Sequence, residues 1–294
     1  MALGPAEALA LVRPADVAGG PDDLPFEFVD PETPHIGILD LGVTRGDGVF
    51  ETIGCVFGHP QALDAHLARF AASASALELP PPDPVAWRGA ILAVCSVIAD
   101  HAEGSVKTVL TRGVDGAPTG WVHGTKAPDF SRERVSGVSV VTLDRGFRHD
   151  IGATAPWLLQ GAKTLSYAVN TAALREAQRR GADDVIFISS DGYVLEGPTS
   201  TVLLRRGGRL ITPGTGLAIL DGTTQTSAFR FAADEGLDSG FEVATVAQLL
   251  TADAVWLLSS VRHAAPVTSI DGQRMALDTG MTARLNAYLA ARID

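Results

Sequence analysis

The chain has 294 residues, 46% hydrophobic and 19% charged, enough apolar material for a sizeable core in one large or two ordinary domains, which excludes an intrinsically disordered chain. Its 34 Asp and Glu outnumber 23 Lys and Arg, and the net charge of −11 makes nucleic acid or an anionic membrane a poor partner, because phosphate repels such a surface. Cys55 and Cys95 make no disulfide framework, no run reaches the roughly 20 apolar residues of a membrane span, and the opening MALGPAEALALVRPAD lacks the basic leader of a secretory signal, so a soluble cytoplasmic protein acting on a small molecule is expected, with no metal centre.

In chain order, VFETIGCVFG reads as a strand and Gly58-His59-Pro60 as its turn. LDAHLARFAASASALEL carries Leu63, Leu67, Phe70, Ala71 and Leu77 at helical spacing, and Pro80-Pro81-Pro82 stops it. Pro84 to His101 reads as a second amphipathic helix, SVKTVLTRG as a strand, GVDGAPTGW as a glycine-rich loop and VSGVSVVTLDR as another strand. Residues 145–160 show little periodicity, which predicts a boundary there. An N-terminal domain with its linker then spans 1–151 and a C-terminal domain 152–294.

The second half opens with GAKTLSY and a helix from about Ala168 to Arg180 that ends at Gly181. Strand VIFISS, the hairpin signal Asp191-Gly192, strands YVLEG and TVLLRR, a Gly207-Gly208 turn and RLITP follow. ILDGTTQ leads into helix TSAFRFAADEG; helix VAQLLTA and strand AVWLLSSV come next. Strands outnumber helices and many are hairpin-linked, so an α/β (α+β) fold with a mixed, partly closed sheet is expected in this half.

Lys107, Lys126 and Lys163 are the chain's lysines, against 20 arginines, and arginine cannot replace lysine where a deprotonated amine is required. Lys163 lies among small and apolar residues in LLQGAKTLSYAVN. One reading is a lysine that snorkels from a strand end. The other is a desolvated amine, whose charged form burial disfavours and which attacks a carbonyl to form a Schiff base. Glu196, before Gly197-Pro198, is either a solvated strand-end carboxylate or a partner for a protonated ring nitrogen, as a pyridoxal ring requires. Gly222 permits close backbone approach, and Thr223 or Thr224 can cap the helix that follows, whose N-terminus suits a phosphate. Ser259 and Ser260 offer further hydroxyls, and Arg69 is either a surface arginine or a forked phosphate contact.

RGDGVFET (45–52), HLARF (66–70), AKTLSYAVNTAALREAQRRGADDVIFISSDGYVLEGPTSTV (162–202), ITPGTGLAILDGTTQ (211–225) and WLLSSVRHAAPV (256–267), in that order, resemble the fold type IV pyridoxal-phosphate (PLP) enzymes: branched-chain and D-amino-acid aminotransferases and 4-amino-4-deoxychorismate lyases. The resemblance covers most of the chain from about residue 37. It implies a small N-terminal α/β domain, a C-terminal pseudo-barrel domain, a homodimer, and PLP as cofactor. It further implies that Lys163 carries the cofactor and then acts as the proton-transfer base, that Glu196 bonds the pyridine nitrogen, and that Arg69 with Thr223, Thr224 and Ser260 contacts the phosphate. Leu220 then packs on the ring, and Tyr167 lies near its phenolic oxygen.

Within the family, VKTVLTRGVDGAPTGW (106–121) lacks the Arg-x-His pair of the D-amino-acid enzymes; Lys107, Thr111, Arg112, Gly113 and Trp121 resemble the lyases most. That implies release of 4-aminobenzoate and pyruvate, a step toward folate, with a class IV aminotransferase as the alternative. A substrate with two carboxylates calls for local cations, and Arg45, Lys107 and Arg112 are the candidates. Alternation puts Lys107 and Arg112 on opposite faces of a regular strand, so both reach one ligand only if the loop bends. A non-catalytic cofactor binder is not favoured, because Lys163 and Glu196 are both present.

Overall fold

A computed structural model describes residues 7–14, 24–217 and 219–292; positions 1–6, the start of the opening stretch, lie outside the described residues. The chain forms two compact units. The first runs to Pro128, returns for Ala162–Tyr167 and ends with Arg292; the second holds Asp129–Gly161 and Ala168–Ala291. The division expected at 151/152 therefore falls at 128/129 instead, and the lysine segment lies with the first unit.

The first unit contains β1 (Glu7–Val12), β2 (Phe26–Val29), α1 (Leu41–Arg45), β3 (Gly48–Val56), β4 (His59–Pro60), α2 (Leu63–Ala76), α3 (Pro84–Val97), β5 (Glu103–Val114) and β6 (Ala117–Lys126). Its sheet is antiparallel in the order β2-β1-β6-β5-β3-β4. Side chains alternate across it, so Val49, Ile53, Val106 and Val122 share one buried face, on which α2 and α3 pack. Asp83 caps α3 by accepting from the Val85 N–H at 2.9 Å, with Pro84 in the first turn.

The stretch GVDGAPTGW is a hairpin and not a loop. Asp115 (φ 53°) and Gly116 (φ 82°) form the two-residue turn that joins Val114 to Ala117. The one glycine of that stretch that lies within β6 admits α3: a Cβ at Gly120 would meet Trp87 Cζ2 at 2.9 Å.

The second unit contains α4 (Ser131–Ser136), β7 (Val138–Asp144), α5 (Ile151–Thr154), α6 (Ala168–Arg179), β8 (Asp184–Ile188), β9 (Thr201–Arg206), β10 (Arg209–Thr212), α7 (Thr223–Asp234), β11 (Ser239–Phe241), α8 (Val246–Leu250), β12 (Ala254–Ser259), β13 (His263–Ile270), β14 (Gln273–Arg274) and α9 (Thr279–Ala291). The sheet order is β11-β10-β9-β12-β13-β7-β8, with β14 beside β13. β7 runs parallel to both β8 and β13, and β11 to β10, while β9, β12 and β13 pair antiparallel. Segment 193–196 pairs with β8 through Leu195 N–H to Phe187 O (2.9 Å), and on its other side Val194 N–H donates to Ala244 O (2.8 Å). These bonds draw the two ends of the sheet together, as a pseudo-barrel requires.

Both faces of this sheet are buried, which explains its near-continuous apolar runs. Val202, Leu204, Val255 and Leu257 pack on one side. Leu203 and Trp256 turn the other way, onto Phe231 of α7 and Leu285 of α9. Trp256 Nε1 donates to Thr282 Oγ1 at 2.8 Å, which satisfies its one polar atom. Among the described residues, no helix is long and apolar enough to cross a membrane.

Candidate active site

In the first unit, the main chain around Lys163 lies along the edge of β3. Phe50 N–H donates to Lys163 O (3.0 Å), Leu165 N–H donates to Gly48 O (2.8 Å), and Val49 and Thr164 form an antiparallel bridge. Alternation then sends Lys163 to the same side as Phe50, and its Nζ lies 4.4 Å from the centre of that ring. Lys107, on β5, brings its Nζ to 5.5 Å from the same centre. Tyr167 meets Phe50 edge-on, with ring centroids 5.4 Å apart. Phe50 is thus an aromatic wall shared by both lysines and the tyrosine.

Arg112 faces elsewhere. Its Nε donates to Asp47 Oδ2 (2.6 Å), and its Nη atoms reach Asp47 Oδ1 (3.3 Å), Leu77 O (2.6 Å) and Glu78 O (3.3 Å) just past the end of α2. The hydrogen bond to Asp47 raises its pKa above the ordinary arginine value. Lys107 and Arg112 therefore do not form a pair. Gly113, in the left-handed region (φ 69°), marks an irregularity after Thr111, but it does not bring the two side chains together. Arg45 is exposed in the last turn of α1.

On α2, His66, Arg69, Phe70 and Ser73 fall on one helical face, turned toward β3. Ser73 Oγ accepts the Lys163 N–H at 3.0 Å. Arg69 forms a two-pronged ion pair with Glu51 of β3, Nε to Oε1 and Nη2 to Oε2, each 2.7 Å. His66 Nδ1 also lies 2.7 Å from Glu51 Oε2 and, facing a carboxylate, is the donor. Glu51 and His66 are buried, at 1% and 0% exposure. Burial pushes the Glu51 carboxyl up, but the charge and hydrogen bonds of Arg69, with those of His66, outweigh it and hold Glu51 at about 2. Burial pushes the His66 ring down despite the opposing contact with Glu51.

In the second unit, Glu196 sits at the end of segment 193–196, and its Oε2 accepts the Leu220 N–H at 3.2 Å. Gly222 is the N-cap of α7, a role expected of the threonines, so the helix starts with no side-chain cap. A Cβ on Gly222 would lie 2.4 Å from Thr201 Oγ1, and glycine is required for that close approach. Thr223 and Thr224 are the first helical residues. Thr223 Oγ1 lies 3.3 Å from Ser260 Oγ, and the buried Thr224 Oγ1 has no hydrogen-bond partner among the described residues. Ser259 and Ser260 are half-buried at the end of β12. Among the described residues, no group of three or more His, Cys, Asp or Glu is arranged to hold a metal ion.

Phe50, Glu51, His66 and Ser73 escaped the sequence reading. An inward-facing glutamate on a strand, with His and Arg three residues apart on the next helix, was the available signal.

The model of the amino-transferase class IV family matches residues 48–270. A bifunctional aminodeoxychorismate lyase / D-amino acid transaminase of Mycobacterium tuberculosis is 43% identical over 85% of this chain and 90% of its own length. A fold IV transaminase structure from Curtobacterium pusillum superposes with a TM-score of 0.93 at 50% identity, over 97% of this chain and 99% of its own. The PLP-bound form of a hypothetical aminotransferase from Mycobacterium tuberculosis gives a TM-score of 0.88 at 39% identity, over 96% and 99%.

Proposed function

The chain belongs to the amino-transferase class IV family, and from that premise we propose that it is a PLP-dependent lyase that converts 4-amino-4-deoxychorismate to 4-aminobenzoate and pyruvate. The observation that carries the reading is the position of the Lys163 amine on the Phe50 ring with a second cation, Lys107, on the same ring. A reactive amine beside a cation suits an anionic substrate on a protein whose net charge of −11 repels it elsewhere.

The residues present fit PLP. The buried Thr224 hydroxyl, without a partner among the described residues, and the uncapped start of α7 are the donors that a phosphate takes up. In this reading, Thr223, Thr224, Ser260 and Arg69 hold the phosphate, with Ser259 beside them and Gly222 keeping the backbone close. Glu196 takes the ring N–H and is itself held by the Leu220 amide. Leu220 gives the ring an apolar contact, and Tyr167 serves its phenolic oxygen.

When bound, the cofactor supplies an aldehyde for amine exchange and a ring that stores electrons. Lys163 takes the proton from the amine-bearing carbon of the substrate. The C–O bond to the enolpyruvyl group then breaks. Enolpyruvate takes up one proton to become pyruvate, so the proton balance closes, and aromatisation drives the step. Lys107 holds a substrate carboxylate.

The second reading is transamination of D- or branched-chain amino acids with a 2-oxo acid acceptor, favoured by the mycobacterial relative whose name joins both activities. We also read the chain as a cytoplasmic homodimer whose product feeds folate synthesis. Exposed Ile38, Leu39 and Val43 support the dimer.

The test incubates purified protein with 4-amino-4-deoxychorismate and follows both products. Equimolar 4-aminobenzoate and pyruvate are expected, with none from Lys163→Ala. Fast transamination of D-alanine with 2-oxoglutarate, and no 4-aminobenzoate, establishes the second reading instead.

A further inference from the structure

We infer that Glu51 and His66 are positioning residues that fix the guanidinium plane of Arg69 for the cofactor phosphate. The inference rests on the reading of Arg69 as a phosphate contact. The carboxylate engages the Nε–Nη2 edge of Arg69 with two bonds of 2.7 Å. That grip uses two of the five guanidinium N–H groups and directs the other three away from Glu51. It also sets the plane of a long side chain that can turn about several bonds. The His66 ring braces the same carboxylate from one helical turn earlier on α2.

A buried ion pair is weak evidence of a stabilising role, since apolar residues in its place are often no worse. A charge as deeply buried as Glu51, lashed to one helix by two side chains, is explained by orientation. The next turn of α2 carries Ser73, which accepts the Lys163 N–H. One helical face therefore aligns both the phosphate arginine and the backbone of the lysine.

The experiment compares PLP with pyridoxal, which has the same aldehyde and ring but no phosphate. The full-length apo chain is titrated with each, and occupancy is read by absorbance and equilibrium dialysis. Glu51→Gln is expected to weaken PLP by about 10- to 100-fold, the range seen when outer partners of a ligand site are lost, and to leave pyridoxal unchanged. The double variant Glu51→Gln/Arg69→Lys is expected to bind PLP no worse than Arg69→Lys alone, because Glu51 acts through Arg69.

Equal weakening of PLP and pyridoxal by Glu51→Gln, or additive losses in the double variant, overturns the inference. If Arg69→Lys leaves the preference for PLP over pyridoxal intact, the phosphate reading itself fails. If Arg69→Lys reduces that preference and Glu51→Gln does not, the positioning role alone fails. Should Glu51→Gln not fold, Glu51→Asp, which withdraws the carboxylate by one methylene, carries the same comparison.

Discussion

Two cations that stand five residues apart on one strand have opposite fates. Lys107 keeps its ammonium on the Phe50 wall, whereas Arg112 ties Asp47 to the carbonyls that end α2. Their substitution should separate recognition from stability. Lys107→Gln is expected to raise KM for a dianionic substrate by about tenfold or more with kcat largely kept, the signature of a lost uniform binding contact. Arg112→Gln is expected to lower stability by about 1–2 kcal/mol, measured by urea denaturation, with KM unchanged. A KM effect from Arg112→Gln equal to that of Lys107→Gln would return Arg112 to the substrate. Alternation in the sequence already set the two residues on opposite faces. It did not show which face carries the lysines, because that depends on Phe50 and on the segment Ala162–Tyr167 laid beside it.

At the scale of elements, α2, α3 and α6 were legible in the sequence, α2 and α3 from a 3.6-residue apolar period. β6 was not, since Gly120 looks like a loop residue until α3 is laid across it, and Gly124 further along the strand lies under the same helix. A side chain at either position collides with Trp87 or Val94. Gly124→Val is therefore expected to destabilise the chain by about 1–3 kcal/mol through overpacking, read as a lower urea midpoint. An unchanged midpoint would show that α3 has room to shift. β13 and α9 passed unnoticed for a related reason. β13 lies between β12 and β7, buried on both faces, and so gives no alternating pattern, and the core-facing residues of α9, such as Met281 and Leu285, are set among alanines and threonines.

For the whole molecule, composition set the scale of the core and five ordered segments pointed to the family, whereas the grouping of the chain into two compact units departs from a division at 151/152. Residues 145–160 lack periodicity and looked like the linker, yet β7, just before them, pairs parallel to β8 and β13 of the second unit. Such pairing is non-local and leaves no mark on the local sequence. The excursion of Ala162–Tyr167 back to β3 is equally silent. It means that the setting of Lys163 is not a portable property of the C-terminal half. A polypeptide of residues 152–294 made alone carries Lys163 without β3, Phe50 or Ser73, and borohydride treatment with PLP should trap no stoichiometric adduct on it. Supplying residues 1–151 as a separate polypeptide should restore the trapping if the halves reassemble. Recombination between relatives at 151/152 then yields hybrids whose amine is aligned by a foreign sheet, and crossover points on either side of that short excursion will differ in how well the hybrids work.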